Sequence, residues 1–530
     1  RADVTPPEAL GQRLSVRGKF SQMPWQRAGD MTQWTGQVFA DLPHVNLATL
    51  RQWVPMDKGL SLQEGRGAVR VWADVDQGQP TGVTADVALD AVDVRLGADL
   101  LPLSLRHVHG RIGAHWQNGD VEISSQDLVF DTQEGEHWPG GVLRVSWAGD
   151  AFDTGTLQAD RLDLEALHQI SQRLPMDAQW RSMLARVQPQ GQVNQLKATW
   201  QTQEDASLHY TVRGQVRQLS VLRDELPTSP LAMLPGAQAA QLEFDFTQKS
   251  GKARVSIHQG SLTLPQGLDD PHLVLHDASV QLNWQRKGDD VTVQFSQGHV
   301  ANDDVAGEFS GSWKTGQGAQ RLPGNLDLTA TISRAKAAQV VRYLPNTLSA
   351  EVRTYVSQAV QAGEVSQAHV RLRGNLDDMP FSHPKQGEFR IAAQIVNGVY
   401  QYVPSPVAKP KTPPVAQWPA LTNIGGELVF DRSALHFNGR TQLAGASGVV
   451  WQKVEAHIPD LANSVVSVTG EGSGPVQELL DMIAKSALNE LTGTVLSKSQ
   501  ATGHANYKLA LTLPLDALKS SKVQGSVAFA

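Results

Sequence analysis

Apolar and polar residues alternate along most of this chain. Leu326, Leu328, Ala330 and Ile332 keep a strict period of two, which puts successive side chains on opposite faces of an extended strand. A helix-like segment follows and ends in Tyr343-Leu344-Pro345. A second runs from about Ala350 to Ala362 and stops at Gly363. Strands resume at Val370 and Leu372, at Phe389 to Ile395, and at Gly426 to Asp431. The stretch reads as strand, helix, helix, strand.

The same order recurs upstream. Ala40-Asp41 precedes Leu47, Leu50 and Trp53 at helical spacing, then Val54-Pro55-Met56-Asp57 and a strand at Val69 and Val71. Ala159-Asp160 precedes Leu164 and Leu167, then Leu174-Pro175-Met176-Asp177, a helix at Trp180 to Val187, and a strand from Val193 to Trp200. The Pro-Met-Asp triplet is identical in both. Pro55, Pro175 and Pro345 lie 120 and 170 residues apart, so the strand-rich part varies in length. A truncated fourth copy starts at Val466 and Val468. It reads Gly470 to Pro475 as a strand-to-helix turn with Pro475 at the first helical position, then a helix from Val476 to Lys485 and a strand at Leu509 to Leu513. The expected modules are residues 1–148, 149–318, 319–463 and 464–530. Gln117-Asn118-Gly119-Asp120 reads as a hairpin turn. The proline-rich run 403–419 cannot pair in mid-sheet and is expected to be an exposed loop; so is 494–503.

About twenty half-apolar strands cannot all be covered by so few helices. Either the sheets fold into closed sandwiches, or a sheet runs on through the repeats with its apolar face open. The expected fold is mainly β with short helices: an elongated, curved antiparallel sheet forming a hydrophobic groove. An open apolar face is costly in water unless an apolar ligand such as a lipid chain fills it. Trp72, Trp147, Trp200, Trp284, Trp313 and Trp451 fall in or near strands, and either a closed core or a groove would use them.

Composition narrows the chemistry. The chain has 530 residues, 40% hydrophobic and 19% charged, with a net charge of −7 and no basic block, which argues against nucleic acid. No run of about 18 apolar residues marks a transmembrane helix. The first residue is Arg1 and no signal-peptide core follows, so a processed form or fragment is expected. With no cysteine, disulfides, thiolate metal sites and cysteine catalysis are all excluded. His107 and His109 alternate on one strand near His115, a zinc-like spacing, but no third ligand is implied and they are expected to be exposed strand histidines. Asp74 with Asp76, Asp289-Asp290 and Asp303-Asp304 are expected at turns. Gly470 to Pro475 lacks the Lys and Ser/Thr of a phosphate loop. No nucleophile elbow occurs, and neither a catalytic residue nor a cofactor or metal site is expected.

Several short motifs occur in order: Tyr343-Leu344-Pro345, the helix with Tyr355 and Ala359, Gly363, Leu372-Arg373-Gly374, Met379-Pro380-Phe381, Gly387-Glu388-Phe389, Val396 to Tyr402, Trp418-Pro419-Ala420-Leu421 and Gly426 to Leu435. With Gly472-Ser473-Gly474-Pro475 and Leu479-Leu480, they resemble the YhdP family of AsmA-like proteins, most clearly over residues 325–485. The resemblance implies a repeating β-groove bridge protein of the Gram-negative envelope. Such a protein is periplasmic, tethered to the inner membrane by an N-terminal anchor missing here, and carries phospholipid to the outer membrane without catalysis. Envelope proteins at either end are the implied partners. About twenty strands at ~4.8 Å stack to on the order of 100 Å, a fragment of such a bridge.

The expected groove lining is Val255, Ile257, Val280, Leu282, Val291, Val293, Leu326, Leu328, Leu428 and Phe430, although a one-residue slip would invert any strand's set. The alternative is a structural adaptor for outer-membrane biogenesis and the permeability barrier, built from closed sandwiches.

Overall fold

A computed structural model describes residues 2–5, 14–23, 25, 27, 29–50, 61–149, 152–203, 205, 207–224, 234–264, 267–316, 318, 321–381, 383–404, 417–463, 465–491, 496, 499–514 and 520–529. Alternation gives way to long antiparallel strands, as period-two patterning requires. The chain divides into two units, Arg1–Ser256 and Ile257–Ala530. Each is described by itself.

The first unit runs β1 (Ala2–Val4), β2 (Leu14–Ser21), β3 (Thr35–Asn46), α1 (Leu47–Leu50), β4 (Ser61–Asp76), β5 (Gln79–Arg95), β6 (Leu103–Gln117), β7 (Asp120–Thr132), β8 (His137–Trp138), β9 (Val142–Ala148), β10 (Thr154–Asp163), α2 (Leu164–Ile170), α3 (Ala178–Val187), β11 (Gln190–Thr202), β12 (Leu208–Val221) and β13 (Gly236–Thr247). The unit boundary falls within β14 (Ser250–Thr263). The second unit continues with β15 (His272–Lys287), β16 (Asp290–Ala301), β17 (Val305–Lys314), β18 (Asn325–Lys336), α4 (Ala350–Ala359), β19 (Val360–Asn375), β20 (Gly387–Tyr400), β21 (Leu421–Asp431), β22 (Ala434–Leu443), β23 (Ala446–Ile458), β24 (Val465–Pro475), α5 (Val476–Lys485), α6 (Leu488–Leu491), β25 (His504–Pro514) and β26 (Lys522–Phe529). Apart from the β7–β9 pairing beside the two-residue β8, the ladders described within each unit join strands that are neighbours in sequence, and all are antiparallel.

A meander returns to the same edge at every second connection. In the first unit α1 and the α2–α3 pair both fall on one edge. In the second, the same holds for α4, with the 3-10 turn Ala337–Tyr343 before it, and for α5–α6. We call this the helix edge and the other the hairpin edge. Tight turns dominate the hairpin edge: Asn118 (φ 54°) and Gly119 (φ 87°) occupy the left-handed positions of the expected hairpin, and Gln77 and Gly78 do so between β4 and β5.

The helices follow local chemistry. Asp163 caps α2 by accepting from Ala166 N, Asp177 of the second Pro-Met-Asp triplet caps α3 by accepting from Gln179 N, and Ser349 caps α4. Helix α4 ends at Ala359, three residues before the expected Ala362, because β19 begins pairing at Val360. The helix-like stretch ending at Tyr343 is a 3-10 turn. Gly470 to Gly474 are strand residues rather than a turn, and Pro475 is the cap of α5 rather than its first helical residue. Gly470 and Gly472 stand where Trp451 lies against them: a Cβ on Gly472 would be 3.0 Å from the indole Cδ2. Residues 51–60, 405–416, 494–495 and 497–498, which carry Trp53, the first Pro-Met-Asp triplet and parts of the two expected loops, lie outside the described residues.

Bulges recur near the helix edge of the strands. Ala91, Asp127, Gln195, Gln218, Gln297, Asn397 and Asn423 each adopt a left-handed φ of 48–54° where the ladder slips by one residue. A bulge bends its strand and increases its twist. Full burial concentrates beside this line. Val45, Leu89, Val92, Leu105, Val108 and Phe130 pack with Leu47 of α1 and Ile170 of α2. In the second unit Val476 and Met482 of α5 pack on Val449, Ala505 and Tyr507. Among the described residues, no helix is long and apolar enough to cross a membrane.

Candidate functional site

Directly opposed residues of an antiparallel pair share a face, so the registers trace one side of each sheet from strand to strand. In the first unit a single row reads Val38, Ala73, Val83, Ala114, Ile123, Val145, Leu157, Ala198, Val212 and Phe246, without a polar residue from β3 to β13. In the second a row reads Ile332, Ala368, Ala393, Leu428, Phe437, Ala456, Val468, Leu511 and Val523, from β18 to β26. Flanking rows repeat the pattern, as in Ala330, Val370, Ile391, Phe430, Leu435 and Ile458.

These faces are not sealed. Ile123 is 51% exposed, and most of both rows is half-buried rather than covered. The chain leaves 32074 Å² accessible, whereas two compact units of half its 57.4 kDa mass would together leave roughly 23,000 Å². In the first unit nine strand spacings of ~4.8 Å and the depth of about 26 Å from Val108 to Trp116 give roughly 1,100 Å² of apolar face, about twice the largest patch of an ordinary monomer.

The opposite faces are charged. Asp41, Arg70, Asp86 and Arg111 oppose one another across β3 to β6 with alternating sign. Arg111 donates from Nε to Asp86 Oδ1 at 2.6 Å and from Nη2 to Oδ2 at 3.0 Å. That pair holds the Asp86 carboxyl below its ordinary range. In the second unit Arg371 does the same for Asp327, Arg390 pairs with Asp431 at 3.2 Å, and Lys508 with Glu471 at 3.1 Å.

The eight expected lining residues from Val280 to Phe430 fall on one face. Leu282 opposes Phe295, and Trp284 opposes Val293, which opposes Trp313; Trp313 opposes Leu326. Leu328 opposes Leu372, while Leu428 and Phe430 join through Ala393 and Ile391. Val280 shares the side of Leu282 on β15, and Val291 that of Val293 on β16. Val255 and Ile257 alternate on β14; Ile257 is 1% exposed and offers almost no surface.

Of the six strand tryptophans, Trp147, Trp200, Trp284, Trp313 and Trp451 belong to apolar faces. Trp72 does not. It opposes Phe39 and Thr84 on the charged side, with the Arg111 guanidinium 5.6 Å from its ring centre. Sequence reasoning could have found this, because Trp72 alternates with Val71. Reasoning missed the hairpin-edge hollow between strand ends, lined by Pro80, Trp116, Val121 and Trp147 with Asp76 and Asp120, because the register brings its walls together.

His107 and His115 point to carboxylates rather than to a shared ion: His107 Nδ1 lies 2.5 Å from Asp90 and His115 Nε2 3.5 Å from Asp74. Among the described residues no His/Asp/Glu group is arranged to hold a metal. Asp74 is a mid-strand residue hydrogen-bonded to Gln37 rather than a turn residue, whereas Asp76, which accepts from Thr35, ends β4 as the first residue of the Gln77-Gly78 turn.

An intermembrane phospholipid transporter of Escherichia coli (strain K12), YhdP, is 24% identical to this chain over 507 residues, covering 91% of the chain and 36% of the relative. The chain thus spans about a third of the relative's length. No solved structure matches. A family model described as YhdP protein matches residues 1–530, and with its whole length so matched the chain belongs to the YhdP family.

Proposed function

We propose that this chain is a segment of a periplasmic bridge that moves phospholipid between the inner and outer membranes, with the acyl chains lying against the apolar faces of its sheets. One observation carries the reading: rows of apolar side chains run across nine or more consecutive strands and stay half-exposed. Apolar surface of that extent is unfavourable in water by about 25 cal/mol per Å² and is stabilised by an apolar occupant. The name of the Escherichia coli relative supports the same cargo. The ten residues from Val255 to Phe430 that line the expected groove belong to this proposal, with Ile257 as packing beneath it. No chemical step is involved; lipid slides along a surface without directional bonds. The helix insertions along one edge support repeated modules as the building principle. The alternative, an adaptor of closed sandwiches, requires covered and dry apolar faces, which the large accessible area argues against.

The test is lipid mass spectrometry on the purified 530-residue protein beside a variant carrying Leu282→Asp, Val293→Asp and Leu328→Asp. A control carries Asn283→Asp, Gln294→Asp and Thr329→Asp on the charged face. Co-purified phospholipid on the parent and the control, and at least tenfold less on the folded apolar-face variant, is the expected result. A folded parent without lipid would overturn the reading.

A further inference from the structure

The apolar faces differ at their two edges. In the first unit the helix edge is closed over β3 to β8: the row Val45, Gly67, Leu89, Val108, Phe130 and Trp138 is packed beneath Leu47 and Ile170. In the second, α5 closes the same edge over Val449 and Tyr507. Among the described residues, no α-helix packs on the hairpin edge of the first unit. Phe20, Trp116, Phe152 and Leu208 all lie near it and all are exposed.

Several tryptophans stand at that edge, while Trp138 and Trp451 pack into the helix-edge cores. Trp116 and Trp147 wall the hollow between the turns, and Trp147 stacks on Phe152 with ring centres 4.5 Å apart. Trp200 donates from its indole N–H to Phe152 O at 2.8 Å. In the second unit Trp284 and Trp313 lie near the hairpin ends of β15 and β17, and Trp313 donates to Pro323 O. An indole has an apolar body and one polar tip, so it is favoured where hydrocarbon meets water.

Resting on the lipid reading above, we infer that the first unit binds its lipid in one orientation. The chain ends point to the helix edge, and the glycerol and phosphate lie at the tryptophan-lined hairpin edge. The dimensions agree. The eight residue steps from Val108 to Trp116 span about 26 Å at ~3.3 Å each, against about 15 Å for one leaflet's share of a bilayer's hydrocarbon core. The chains are accommodated before the closed core is reached. The reverse orientation would bring a phosphate against Leu89, Val108 and Phe130, where burial of an unpaired charge is prohibitive. Movement from strand to strand then leaves the polar group in water, and the open edge needs no gate.

The chain has no cysteine, so an introduced one is a unique labelling site. Ile123→Cys, near the hairpin edge, and Val87→Cys, beside the closed core, are each labelled with a small fluorophore in the full 530-residue protein. They are loaded from phosphatidylcholine vesicles carrying a nitroxide either next to the glycerol or at the chain terminus. The glycerol-proximal nitroxide is expected to quench the Ile123→Cys label at least twofold more than the Val87→Cys label, and the terminal nitroxide the reverse. Equal quenching by both probes, or an inverted gradient, with lipid present by mass spectrometry, overturns the orientation alone. No quenching at either site and no bound lipid overturns the lipid reading beneath it.

Discussion

Gly155 faces Trp200 across the β10–β11 ladder, and a β-carbon on the glycine would stand 2.2 Å from the indole Cζ2. The indole therefore lies flat over the neighbouring strand, and its N–H reaches Phe152 O. A bulky residue in place of this glycine must displace either the ring or the strand.

Gly155→Val is accordingly expected to destabilise the first unit by about 1–3 kcal/mol, the usual range for overpacking. Urea unfolding followed by circular dichroism measures the loss. Tryptophan emission should shift to the red in the folded variant, because Trp200 is driven into water. An unchanged midpoint and spectrum would show that the ring has another place to go.

Phe381 is the largest side chain of the second unit with 0% exposure, and its loop joins β19 to β20 on the hairpin edge. Two glycines make room for it: a Cβ on Gly374 or on Gly387 would approach its ring to 2.7 and 2.8 Å. Phe381→Ala is expected to cost about 3–5 kcal/mol, and the cavity has backbone walls that close poorly. Denaturant midpoints measured on the full chain test this. A loss below about 1 kcal/mol would mean that the loop collapses onto the glycines.

The charged faces set the acid response. Asp86 is held below its ordinary value of 3.8 first by the hydrogen bonds from Arg111, and Asp327 likewise by Arg371. For a carboxyl lowered on folding, the stabilisation is present above the unfolded value and is lost as pH falls through the folded one. Arg111→Gln is therefore expected to lower the melting temperature at pH 7, and the gap to the parent should shrink below about pH 4, where the parent loses the same stabilisation. The effect should be small and weakened by salt, since both partners are solvent-exposed. A gap that persists unchanged at pH 3 would assign it to the lost stacking of Arg111 on Trp72 instead.

The alkaline side has its own signature. The Tyr355 hydroxyl lies 2.7 Å from that of Tyr400 and donates to Tyr402 O at 3.1 Å, tying α4 to the end of β20. Burial pushes the Tyr402 phenol up to about 12, and Tyr400 is raised as well, first by burial. An acid whose value is raised on folding stabilises the fold below its unfolded value, so stability should fall between pH 10 and 12. Spectrophotometric titration should show a tyrosine fraction ionising only near unfolding; smooth titration of all six tyrosines near 10 would contradict the burial.

By itself, the sequence determined the alternation, and with it which residues of one strand share a side. Leu326 with Leu328, Val291 with Val293, and Leu428 with Phe430 are fixed by a period of two, whatever lies beside them. It determined the helix from Val476 to Lys485, the caps at Asp163 and Asp177, and the Asn118-Gly119 hairpin, because each is satisfied by neighbours within a few residues. It also carried the ordered motifs from Tyr343 to Leu435 by which the family was legible.

Only tertiary structure decided how those sides join. Leu328 meets Leu372, and Ala393 meets Leu428, through registers adjusted by bulges such as those at Gln297 and Asn423, and one extra residue per strand leaves no reliable trace in composition. The run Gly470 to Gly474 reads as a turn until Trp451, on the neighbouring strand, is seen to occupy the space its missing side chains leave. Trp72 reads like the other strand tryptophans until Arg111, 39 positions later in the chain, is found above it. The difference between a sealed helix edge and an open hairpin edge belongs to this second kind. It arises because a meander returns to the same side at every second turn, and in the first unit the helices and bulges there gather enough apolar contact to shut out water.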